Sequence, residues 1–169
     1  MSTPNPQDEA RHTPDPDEPL WNESYYLDWF AEDLSVGGYV RIGFYPNLGK
    51  VWYWACLVGP DRPLVTAIEH DVALPSTPSS LEVRADGLWA DHVVETPNEH
   101  MSINLEAFGL QLDDPAEVYL PDPRGTRVPF GFELKETFSA LDSSTSDLCL
   151  SVCAWASFRS TRAAIKWGQ

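Results

Sequence analysis

GGYVRIGFYPNLGKVWYWACLVGP, residues 37–60, decides the fold. Its first half alternates: Val40, Ile42 and Phe44 on one side, Tyr39, Arg41 and Tyr45 on the other. That is the period of a half-buried strand. Pro46-Asn47-Leu48-Gly49 supplies a turn, since proline presets φ and Asn or Gly accepts positive φ. The second half, Val51 to Val58, is apolar on both sides, with Val51, Tyr53, Ala55 and Leu57 on one and Trp52, Trp54, Cys56 and Val58 on the other. A strand apolar on both faces is covered on both, or lines a pocket.

Working outward, the same period recurs. Leu20 to Phe30, LWNESYYLDWF, is dense in aromatics and reads as a strand or an amphipathic helical turn. Leu64 to Val72 reads as a strand with Leu64, Thr66, Ile68, His70 and Val72 in phase. Leu81, Val83 and Ala85 mark the next, and Asp86-Gly87 signals a tight hairpin into Leu88–Thr96. His100 to Phe108 alternates again, and Phe130, Phe132 and Leu134 mark a last strand. Asp114-Pro115-Ala116-Glu117 is the one clear helix start, a short one because Pro121 and Pro123 follow. Short strands joined by Gly/Pro turns, with no βα alternation, predict an all-β antiparallel barrel or curled sandwich with one short helix.

Three segments are expected: an acidic, Pro-rich disordered leader (1–19), a β domain (20–135) and a divergent C-terminal segment (136–169). All fifteen prolines lie at or before Pro129, and the last 34 residues hold seven Ser, two of the three Cys and three acids. That shift fits either an ordinary divergent terminus or out-of-frame sequence; within it, Leu148–Ala156 alternates like a further strand.

The net charge of −15 excludes whole classes of partner. Binding nucleic acid or an anionic membrane surface needs clustered Lys and Arg. No stretch has the length and apolarity of a membrane span, and the N-terminus lacks a signal peptide's basic and apolar regions, so a cytoplasmic protein is expected. Cys149-x-x-x-Cys153 has no His nearby; no metal site, cofactor or disulfide framework is expected. Walker, GxGxxG, GxSxG and HExxH signatures are absent.

His92 shares a face with Leu88, Ala90 and Val94. It reads either as a satisfied core histidine or as a group whose pKa desolvation shifts for acid–base work. Asp91 points to the opposite face, so the two form no dyad. Glu99 and His100, at a loop-to-strand junction, are its expected partners across the sheet. Tyr39, Trp52, Tyr53, Trp54 and Trp89 read as inter-sheet packing or as a pocket wall for a long apolar ligand; Arg41 reaches into that pocket or lies along the surface.

WNESYY (21–26), residues 37–60, GLWADHVVETPNEH (87–100) and LEAFGLQLDDPAEVY (105–119) together resemble the N-terminal half of the hydroxyneurosporene synthase (carotenoid 1,2-hydratase)-like, AttH-like family. The resemblance covers residues 19–134 and implies a lipocalin-like fold with an apolar cavity, and cofactor-free chemistry on terpenoids or polyenes. Members of that family are about twice as long, and their downstream half carries a Trp-Gly-x-Arg-Asp-His-Ser-Trp-Gly motif that this chain lacks. The expectation is therefore a domain accommodating an apolar isoprenoid or lipid-like molecule, as a hydratase or as a non-catalytic carrier or half-enzyme. His92 and Glu99 are the candidate proton donors. Tyr39, Arg41, Trp52, Trp54, Trp89 and His100 are the candidate ligand contacts, and a homodimer or a missing second domain is the expected partner.

Overall fold

The computed structural model describes residues 10–31 and 33–137. Eight strands carry the fold. The first four are β1 (Glu23–Phe30), β2 (Gly37–Tyr45), β3 (Lys50–Val58) and β4 (Leu64–Ala73). The second four are β5 (Val83–Ala85), β6 (Leu88–Thr96), β7 (His100–Leu112) and β8 (Thr126–Thr137). Every pairing is antiparallel, in the order β1-β2-β3-β4-β7-β6-β5, with β8 on the other side of β7. The chain is thus two consecutive four-stranded meanders. They join where Leu64, Val65 and Thr66 meet Leu112, Gln111 and Leu110. The sheet does not close. β1 is laddered to β2 and β8 to β7, and these outer strands meet through the rings of Trp29 and Phe132, 5.2 Å apart. This is an all-β curled sandwich of the lipocalin-like kind.

One core fills the space between the meanders. Val40, Ile42 and Phe44 of β2 face Val51, Tyr53, Ala55 and Leu57 of β3 on the same inner side. Against them pack Leu88 and Ala90 of β6, Ile103 and Leu105 of β7, and Phe130, Phe132 and Leu134 of β8, all buried. The turns follow their chemistry: Gly49 and Gly87 have φ of 67° and 76°, values that cost glycine nothing. Asp114 accepts from the backbone N–H of Ala116 at 2.9 Å, but the helix it opens, Pro115–Tyr119, is a 3-10 turn.

Two expectations are corrected here. The phase of β4 does not hold along its length. Val51 pairs with Val72 but Tyr53 with Glu69, so β4 carries a bulge. Leu64, Thr66, Ile68 and His70 keep one phase on the outer face, and the extra residue, falling between Glu69 and Val72, turns Val72 into the core beside Val65 and Ala67. The leader is also not a free tail over residues 10–19. The Asn47 side-chain amide donates to the carbonyls of Asp15 and Glu18, both at 2.7 Å, and the backbone N–H and Nδ1 of His12 lie 3.1 and 2.8 Å from Glu23 Oε2. A Pro-rich, acidic stretch has no core of its own, but the domain's polar groups hold it in place. The expected strand Leu148–Ala156 lies outside the described residues.

Candidate functional site

Strand alternation delivers His92 to the interior, beside Leu88 and Ala90, where it is 3% exposed. Across the core, Tyr53 of β3 is fully buried, and its hydroxyl lies 3.3 Å from His92 Nε2 with the two rings edge-on at 85°. Desolvation drives the pKa of His92 down to about 4 and pushes that of Tyr53 up. At neutral pH the pair is therefore an uncharged imidazole and an uncharged phenol. His92 Nδ1 is buried with no hydrogen-bond partner among the described residues. So is Trp29 Nε1, at the seam between β1 and β8. Buried polar atoms are nearly always satisfied. His92 Nδ1 and Trp29 Nε1 are the two buried side-chain polar atoms without a partner among the described residues.

The other sequence-selected residues do not join His92. Glu99 is exposed in the turn after Thr96, and Thr96 lies four residues along β6 from His92, about 13 Å at the usual strand rise. His100 is exposed at the start of β7. The expected His92–Glu99 pair on one sheet face is thus corrected: one group is in the core, the other at the surface. Tyr53 is the partner that His92 finds.

Tyr39, Arg41, Trp52 and Trp54 sit together, but on the outer face of β2 and β3, opposite the core. The Arg41 guanidinium lies 4.7 Å over the Trp54 ring and donates to Ser24 Oγ at 3.0 Å. Trp52 and Trp54 meet edge-on at 6.0 Å, and the His70 ring, in phase with Thr66 and Ile68 on the outer face, sits 5.2 and 5.1 Å from them. Tyr26 is 57% exposed, stacked on Tyr39 at 5.7 Å, and donates to Asp28, which pushes its pKa up to about 12. These residues form an aromatic shelf rather than the wall of an interior pocket. Trp89 lies on the outer face of β6, where its indole N–H donates to Glu82 at 3.1 Å. Arg84 and then Trp89 hold the Glu82 carboxyl below its usual pKa.

A separate cleft of about 220 Å³ opens where β4 and β6 part along β7, lined by Thr66, Glu69, Gly87, Phe108 and Arg127 among others. It is smaller than the ~300–1,000 Å³ of ordinary ligand sites, and none of the sequence-selected residues lines it.

A family model for a domain of unknown function, DUF7064, matches residues 5–148. The chain belongs to the DUF7064 family. The DUF7064 match takes in the leader as well as the sheet, consistent with the leader's contacts, and runs past Thr137. No curated protein and no solved structure matches the chain. No group of three or more His, Cys, Asp or Glu among the described residues is placed to hold a metal ion. No helix among them is long and apolar enough to cross a membrane.

Proposed function

We propose that this DUF7064 domain binds an apolar isoprenoid or lipid-like molecule between its two meanders, and acts as a carrier rather than as a hydratase. The unpartnered Nδ1 of His92, beside the Tyr53 hydroxyl in an otherwise apolar interior, is the observation that carries this reading. Such a pair suits one oxygen of a mostly hydrocarbon ligand: apolar walls supply affinity and a single polar contact supplies orientation. The seam gives the layers room to part, because Trp29 meets Phe132 there by ring contact. Hydration of an alkene needs a proton delivered to carbon. An imidazole whose pKa is near 4 holds no acidic proton at neutral pH, and Glu99 is outside the interior. The geometry therefore favours holding a ligand over converting it.

The test is incubation of the full chain with a panel of polyenes and terpenoids in water enriched in heavy oxygen, followed by mass spectrometry of solvent extracts. A ligand retained unchanged, with retention lost in His92→Leu, supports the carrier. A labelled, water-added product establishes a hydratase instead, and retention of nothing overturns the reading.

The outer shelf favours a second role, as the face that meets a second domain or a second copy of the chain. The contact would use the face of β3 and not its edge, since β3 is laddered on both sides, to β2 and β4. Sedimentation of the full chain against a Trp54→Glu variant tests this: a concentration-dependent dimer lost in the variant supports self-association, and a monomer in both excludes it.

A further inference from the structure

The leader crosses one end of the interior. The Arg11 guanidinium sits 4.2 Å over the ring of Phe44, and its Nη2 lies 3.4 Å from the carbonyl of Thr77, in the loop between β4 and β5. His12 is tied to Glu23, the first residue of β1. Asn47, in the turn between β2 and β3, holds the carbonyls of Asp15 and Glu18. The three anchor points ring one end of the sandwich. Inside that ring, Phe44 pairs with Val51, and the next inward pair along the same two strands is Ile42 with Tyr53, about 6.6 Å deeper at the usual rise. The ring that Arg11 covers is thus the first interior layer, and the Tyr53–His92 pair lies in the layer beneath it.

No residue from 10 to 22 is buried. The leader's ties are a cation over a ring, a guanidinium bond to a carbonyl, side-chain amide bonds to carbonyls and an exposed His–carboxylate contact. A segment held only at the surface can lift without unfolding the sheet, because it takes no apolar side chain out of the core.

We infer that residues 10–22, the described part of the leader and its run into β1, form a lid on the interior, with Arg11 as its latch, and that ligand is admitted at the end of the sandwich beneath it. The lid rests on the proposed reading of the interior as the binding space. Lids of this kind govern how fast a ligand enters and leaves more than how tightly it is held.

Stopped-flow fluorescence tests the inference. The full chain and its Arg11→Ala variant are mixed with a conjugated polyene fatty acid whose emission rises on burial. Asp114→Ala serves as a destabilised control, since it loses a cap remote from the leader. Loss of one latch contact is expected to raise both association and dissociation rates about fivefold, and to change the equilibrium affinity by less than about threefold. Rates unchanged from wild type, or raised equally in Asp114→Ala, overturn the lid. If neither wild type nor Arg11→Ala takes up the probe, the binding reading fails and the lid is judged alone, by carbethoxylation of His92 followed by mass spectrometry. Modification at least about fivefold faster in Arg11→Ala than in both wild type and Asp114→Ala supports the lid; equal rates overturn it.

Discussion

Acid should weaken this fold through one residue. His92 is buried and uncharged, with its pKa lowered from 6.5 to about 4 by desolvation. In the unfolded chain the same imidazole takes up a proton near 6.5. Between those values the unfolded state binds more protons than the folded one, so stability falls as the pH drops through the window and is flat above it. From pH 7.5 to 5.0 the loss attributable to His92 is about 2 kcal/mol, and it reaches about 3 kcal/mol only near pH 4. The window from 7.5 to 5.0 also stays above the isoelectric point of about 4.4, where the chain would precipitate. The assay is urea denaturation at both pH values, for wild type and for His92→Gln, which is neutral throughout. Lowering the pH also relieves repulsion among the excess carboxylates, and that effect is common to both proteins. The difference between the two pH responses therefore isolates His92. Equal responses would refute the reasoning, because His92 would then titrate in the folded state as it does in water.

Tyr53→Phe removes the one hydrogen-bonding neighbour of the His92 ring among the described residues and should cost about 1 kcal/mol in urea denaturation, since the 3.3 Å contact is long for a hydrogen bond. Gly38→Ala should abolish cooperative thermal unfolding or lower its midpoint steeply: an added Cβ would stand 2.0 Å from the backbone carbonyl oxygen of Cys56, which the β2–β3 ladder holds in place. Trp54→Ala should cost only about 1 kcal/mol, by removing the ring under Arg41. It should also leave retention of an apolar ligand unchanged, as measured by solvent extraction, because the shelf faces away from the interior.

Much of the fold is legible in the alternation. Val40/Ile42/Phe44 and Val51/Tyr53/Ala55/Leu57 are the inner faces of β2 and β3, as their period predicts. The apolar outer side of β3 was legible as needing cover, but not how it gets it. Cys56 packs with Leu64 and Leu112 beside Val118, while Trp52 and Trp54 shelter under Arg41, His70 and each other. Val72 could not be placed by period alone, because the bulge in β4 breaks the count of two after His70 and turns Val72 into the core. A bulge is set by the partner strand as much as by its own residues. The apolar setting of His92 is readable from Leu88 and Ala90, but the expected partners, Glu99 and His100 across the sheet, are not the ones it finds across the layers. The available signal was Tyr53 itself: a tyrosine in phase with Val51, Ala55 and Leu57 is buried, and a buried phenol seeks a hydrogen-bonding neighbour. The leader misled by composition. Prolines and acids say that a segment has no core, and they do not say that an arginine and a neighbouring asparagine tie it down.

The joint between the meanders bears on how the chain folds. Each four-stranded half is built from sequential hairpins, whereas among the described residues the halves share a ladder only at Leu64–Thr66 and Leu110–Leu112. Local pairings close quickly, and the long-range one waits for both halves. The last step is therefore one meander closing on the other about the connection between Ala73 and Val83. If that connection swings open at high concentration, a half from one copy finds the same three-residue joint and the same inner face on another. Domain-swapped dimers, hinged between Ala73 and Val83, are the misassembly this topology invites.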